Sequence, residues 1–167
     1  MITGPESSGK TTLAQALAQE LGGIYHAEYA REYLEEREGV YEREDLDLML
    51  AKQLNRFHHC TGTTEEINVH DTGPETFYLW SQIKYGQISP YIRQQMKQAH
   101  FDFTLLCAPD LPWEPDPLRE APQQEDRMHI FCTSAGLLLE ENWRFGIVQG
   151  QDRLQLALQT LSQASLI

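Results

Sequence analysis

The chain predicts an α/β fold built on a doubly wound parallel sheet of about five strands, and three observations predict it. First, Gly4-Pro5-Glu6-Ser7-Ser8-Gly9-Lys10-Thr11 has the spacing G-x-x-x-x-G-K-[ST] and runs straight into the helical stretch Thr12-Leu13-Ala14-Gln15-Ala16-Leu17-Ala18. Second, short apolar runs ending in polar residues recur between longer stretches of helical apolar spacing. Third, glycine and proline stand where one period gives way to the other. Strands alternating with helices pack as a parallel sheet covered on both faces.

Taken in order, only Met1, Ile2 and Thr3 precede the loop, so the first strand is short or residues are missing upstream, and a truncated or mis-set start is expected. Helical spacing runs from Lys10 to about Leu21, where Gly22-Gly23 stops it. Ile24 to Ala27 reads as a strand ending at Glu28. A helix begins near Tyr29, pauses at Gly39 and resumes from Glu44 to His59, with Leu46, Leu50, Leu54 and Phe57 on one side. After a loop over Thr61 to Glu66, the strand Ile67 to His70 is stopped by Asp71-Thr72-Gly73-Pro74. Glu75 to Tyr85 and Tyr91 to His100 are helices separated by Gly86 and Pro90. Phe103 to Ala108 is the clearest buried strand. Five prolines, at 109, 112, 115, 117 and 122, then punctuate a segment over about 109–127 that reads as a functional loop or lid. A helix from about Arg127 to Asn142, a strand from Arg144 to Val148 and a helix from Gln151 to about Gln163 complete the chain.

At 167 residues the chain fits one domain over 1–167, and its net charge of −12 disfavours nucleic-acid backbones and anionic membranes as partners. A small-molecule substrate is the better match. Cys60, Cys107 and Cys132 have no paired spacing, which argues against a disulfide framework or a zinc site and for a reducing, cytoplasmic location. No apolar run is long enough to cross a membrane.

The first loop carries the most specific chemistry. Glycines let the backbone curl so that successive N–H groups point at phosphate oxygens, and the following helix adds its positive end. The expected nucleotide-binding set is Gly4, Glu6, Ser7, Ser8, Gly9, Lys10, Thr11 and Thr12, with ATP as the nucleotide. Lys10 reaches the β- and γ-phosphates, and Thr11 ligates Mg²⁺. No N-K-x-D motif is present to read guanine. In a parallel sheet, ligands bind beyond the carboxyl ends of the strands, so polar residues there are the other candidates. Asp71 ends a strand and is either the second acidic element for Mg²⁺ and substrate or a turn-capping aspartate. Glu28 ends another and either accepts the proton of an attacking hydroxyl or pairs with Arg31 at i, i+3. Arg119 and Arg127 flank the proline-rich segment as candidates for neutralising a transferred phosphoryl group. Trp113, Tyr29 and Tyr78 can stack on an aromatic ring or pack beneath the lid. Arg153, with Gly150, follows the last strand, where adenine is commonly held. His58, His59 and His70 lack a partner at ligating spacing and read as structural.

Glu28-Tyr29-Ala30-Arg31-Glu32, Asp71-Thr72, Pro112-Trp113-Glu114-Pro115-Asp116 with Leu118-Arg119, and Asp126-Arg127, placed after the Glu-Ser-Ser loop, resemble the ribosylnicotinamide kinase domain of NadR-type proteins over nearly the whole chain. The resemblance implies a nucleoside-kinase-like fold and ATP-dependent phosphorylation of a nucleoside such as nicotinamide riboside. It assigns Lys10, Thr11 and Asp71 to ATP and Mg²⁺, Glu28 and Arg31 to the acceptor, and Arg119 and Arg127 to the lid. Bifunctional members carry an adenylyltransferase domain upstream, and here the kinase half alone is expected. Gly73 stands where those members tend to have a second aspartate, which bears on the acceptor's identity. The family also includes ATPase-like proteins, so a nucleotide-dependent switch is the competing expectation.

Overall fold

Residues 1–60 and 66–167 are described by the structure, a computed structural model, with no side-chain description for residues 58–60. The expected loop over 61–65 and the readings of His58, His59 and Cys60 lie outside the described residues. Among the described residues five strands form, β1 (Ile2–Thr3), β2 (Ile24–His26), β3 (Asn68–His70), β4 (Thr104–Cys107) and β5 (Phe145–Val148). All are parallel. One ladder runs β1-β4-β5 and the other β2-β3. A parallel bridge between Ile2 and Asp71, with the Thr72 N–H donating to the Ile2 carbonyl at 2.9 Å, joins them into the order β2-β3-β1-β4-β5. The chain thus runs from β1 to the edge strand β2, returns to β3 beside β1, and then crosses to β4 and β5 on the other side, so β1 marks the switch point beside which ligands bind.

The helices are α1 (Lys10–Leu21), α2 (Tyr29–Glu36), α3 (Arg43–Cys60), α4 (Pro74–Tyr85), α5 (Pro90–Gln98), α6 (Gln124–Glu140) and α7 (Arg153–Gln163). α1 and α7 bury Leu13, Ala14, Leu17, Ala157 and Leu161 against Ile2, Val69, Leu105 and Val148 of the sheet. A second cluster, Tyr33, Leu46, Met49, Leu50, Phe77 and Ile92, knits α2 through α5 together. Leu79, Met96 and Leu137 continue it towards α6. The sheet is therefore held from both sides, which fixes its carboxyl edge as a rigid platform.

Two boundaries differ from expectation in ways that matter. α6 begins at Gln124, three residues early, because Glu125 and Asp126 in its first turn complement the helix dipole. The proline-rich segment therefore ends at Gln123, and Arg127 belongs to a helix. α7 begins at Arg153, two residues late, with Asp152 at its N-cap.

Candidate active site

The first loop is shaped by three residues with positive φ, Gly4 (140°), Ser7 (53°) and Gly9 (74°). A Cβ on Gly4 would stand 2.5 Å from the Cys107 carbonyl oxygen, so only glycine lets the loop cross the end of β4 this closely. The Ser8 hydroxyl donates to the Pro5 carbonyl at 2.7 Å, and Lys10 Nζ donates to the same oxygen at 2.9 Å. The ammonium is thus held back against the loop's own backbone.

The loop opens into a cleft of about 970 Å³. Gly4, Glu6, Ser7, Ser8, Gly9, Lys10, Thr11, Thr12, Glu28, Arg31, Arg119 and Arg153 all line it. Its far wall is made by Tyr41, Trp80, Ile83 and Lys84, with Leu34 and Leu79. Tyr41 and Trp80 rings lie 6.2 Å apart and tilted by 34°, and Lys84 Nζ sits 3.8 Å above the Tyr41 ring. Sequence reasoning missed this wall. The i, i+3, i+4 spacing of Trp80, Ile83 and Lys84 places them on one face of α4, but nothing local says that this face meets Tyr41.

Glu28 caps the start of α2 without bonding its own helix N–H groups, which leaves its carboxyl facing the cleft. Burial pushes its pKa up from 4.5 to about 7, with Lys10 pulling it down and the negative charge of Asp71 pushing it up further. Arg31 directs its guanidinium at Glu35 (3.2 Å) and Asp116 (2.7 Å), so the expected i, i+3 pairing with Glu28 is replaced by a tie between α2 and the lid.

Asp71 stands at the carboxyl end of β3 but is 1% exposed and does not line the cleft. Its Oδ2 accepts from the Tyr25 hydroxyl at 3.3 Å, while Oδ1 is buried with no partner. Burial and the Asp71 charge push the Tyr25 phenol up to about 12.

Four other candidate residues make their contacts within the protein itself. Tyr29 packs on the α2–α3 side, its ring beneath the Arg56 guanidinium at 4.5 Å, and does not face the cleft. Trp113 turns outward into a separate shallow hollow, 5.7 Å from the Arg119 guanidinium and 5.9 Å from that of Arg127. Its indole packs the lid and stacks on no cleft surface. Arg127 is 3% exposed, and its guanidinium donates to the carbonyls of Pro109 (3.2 Å) and Leu111 (3.1 Å). That side chain clamps the stem of the lid. Arg153, buried to 6% exposure, donates to the carbonyls of Val148 (2.8 Å) and Ala108 (3.0 Å) and to Asp110 Oδ1 (2.5 Å). It ties β4 to β5 at the cleft wall. Burial opposes ionisation of Asp110, yet the Gly150 N–H and Arg153 hold its carboxyl below the usual range. Asp110 was not anticipated.

The lid is held in place by the chain's own bonds. The Glu114 N–H and Arg119 Nη1 both donate to Ser7 Oγ, at 3.2 and 2.8 Å. Lys84 pairs with Glu120 at 2.7 Å on the far wall. The lid thus bridges the phosphate loop, α2 and α4.

Comparison with known proteins extends this picture. A family profile described as an AAA domain matches residues 1–153. The Trifunctional NAD biosynthesis/regulator protein NadR of Escherichia coli (strain K12) is 25% identical over 155 residues, 90% of this chain and 38% of that protein. Its Salmonella typhimurium (strain LT2) counterpart is likewise 25% identical over 155 residues, again 38% of its length. The chain therefore spans well under half of the curated relatives it matches. A crystal structure of NadR protein in complex with NR superposes with a TM-score of 0.79 at 19% identity, covering 99% of this chain and 51% of that one, a likeness of fold. Among the described residues, no helix is long and apolar enough to cross a membrane. The phosphate loop at a parallel sheet's switch point and a profile match over most of the length lead to one placement: the chain belongs to the AAA-domain family of phosphate-loop proteins.

Proposed function

We propose that the protein transfers the γ-phosphoryl group of ATP to the hydroxyl of a nucleoside, with nicotinamide riboside as the acceptor. The observation that carries this reading is the meeting in one cleft of Lys10 and Thr11 from the loop, Glu28 with a pKa of about 7, and Arg119 from the lid. The 25% identity to NadR and the fold shared with NadR in complex with NR support the acceptor class.

Each residue has work matched to its place. The loop N–H groups and Lys10 hold the triphosphate. Thr11 and Asp71 would hold Mg²⁺, and the unpartnered, buried Oδ1 of Asp71 fits a metal-bound water as its missing partner. When bound, the ion neutralises charge on the phosphate oxygens. Glu28 takes the proton of the acceptor hydroxyl onto a carboxylate oxygen, and a pKa near neutrality suits a group that must be ionised yet basic. Arg119 reaches the loop at Ser7 and so stands where charge spreads during transfer. Tyr41 and Trp80 offer the acceptor's ring an aromatic wall.

A thermal-shift screen with a non-hydrolysable Mg-ATP analogue tests the acceptor class. Nicotinamide riboside at about 100 times its Kd adds about 2.7 kcal/mol by mass action, a rise of about 5 °C or more in a domain of this size. If no nucleoside adds to the shift produced by the nucleotide analogue, the protein is instead a nucleotide-dependent switch without a small-molecule acceptor.

A further inference from the structure

Glu6 sits inside the phosphate loop, yet its carboxylate is bound by groups 114 and 115 residues away. The Glu120 N–H donates to both carboxylate oxygens at 3.0 Å, and the Ala121 N–H donates to Oε2 at 2.8 Å. Two successive backbone N–H groups around one carboxylate form a small anion cradle, and bonds to an ionised acceptor are the strong kind. A carboxylate turned inward would repel the phosphates that this loop's N–H groups attract. Turned to the lid, it is satisfied and out of the way. The next residue, Ser7, takes the second lid contact, receiving Arg119 Nη1 at 2.8 Å. Residues 114 to 121 are thereby set down on the loop in one register, with Arg119 directed at the phosphate end of the cleft.

We propose that Glu6 is a positioning residue, whose carboxylate seats the lid on the phosphate loop through the Glu120 and Ala121 N–H groups and acts on phosphoryl transfer through Arg119. Its kinetic consequence rests on the proposed kinase reading, while the seating itself is measurable without turnover.

The test uses the full chain with Glu6→Ala and Glu6→Gln. Hydrogen exchange at the amides of Glu120 and Ala121 reads the latch directly. The alanine variant should exchange about tenfold faster or more there. The glutamine variant, with one acceptor oxygen left and an NH₂ facing an N–H donor, should fall between. In kinetics, Glu6→Ala should lower kcat about tenfold while the KM for Mg-ATP moves less than about threefold. The double variant Glu6→Ala/Arg119→Ala should be no slower than Arg119→Ala alone, because the two residues act in series. Unchanged exchange at 120 and 121 in Glu6→Ala overturns the proposal. So does a loss of Mg-ATP affinity at unchanged kcat, which would make Glu6 a nucleotide contact. Should no acceptor turn over, the kinase reading fails and the exchange measurement still decides the latch.

Discussion

Replacing Glu28 by glutamine keeps the side chain's shape and removes its titration, and the consequences for activity and stability have opposite signs. Burial raises this carboxyl from 4.5 to about 7. As a general base it must be ionised, so kcat/KM should fall about tenfold per pH unit below pH 7 and level off above it. Glu28→Gln should lie about a hundredfold below the plateau and lose that limb of the profile. For stability, a carboxyl with a higher pKa folded than unfolded binds its proton more tightly in the folded state. The stability this contributes is present below pH 4.5 and lost as pH rises towards 7, where the ionised group strains the fold. The displacement from 4.5 to about 7 is worth about 3 kcal/mol, and water in the cleft reduces it to about 1–3 kcal/mol. At pH 8 the inactive Glu28→Gln protein should melt about 5 °C above the parent, and at pH 4.5 the two should coincide. Calorimetry over pH 4.5 to 8 and initial rates over pH 5 to 9 check both halves. A rate loss below about threefold, or a variant no more stable than the parent at pH 8, refutes the assignment.

Lys10→Ala should abolish turnover and leave the melting temperature within about 2 °C, because its ammonium bonds the Pro5 carbonyl beside the cleft and supports no core. Arg119→Lys and Arg127→Lys should separate cleanly. The first keeps charge but loses the planar fork and should lower kcat more than ATP affinity, whereas the second should cost about 1–2 kcal/mol of stability by loosening the clamp on the Pro109 and Leu111 carbonyls. Arg153→Met should cost about 1–3 kcal/mol, read by denaturant unfolding, since it takes the buried guanidinium donor from the Ala108 carbonyl and removes the ion pair with Asp110.

The architecture was legible because its signals are local. The loop needs fixed residues at fixed spacing, and the strand ends at Glu28 and Asp71 follow from short apolar runs that stop at polar residues. What escaped depends on distant partners. Arg127 and Arg153 read as ligand arginines from their places beside the lid and after the last strand, and only the tertiary fold shows that their guanidinium groups donate to backbone carbonyls. Trp113 and Tyr29 have the right chemistry for stacking, and only tertiary packing shows that their rings face away from the cleft. The wall of Tyr41, Trp80 and Lys84 joins residues from a loop and from α4 and has no motif of its own. Glu6 was grouped with the nucleotide ligands by its place in the loop, and its bonds instead run to the lid.

Phosphoryl transfer itself is the most direct test. ATP labelled in its γ-phosphate, supplied with Mg²⁺ and a panel of nicotinamide riboside, nicotinic acid riboside and common nucleosides, should yield labelled nicotinamide mononucleotide faster than any other product. That signal should vanish in Lys10→Ala. Release of labelled inorganic phosphate at a rate indifferent to every acceptor, with no labelled nucleotide formed, would contradict the account.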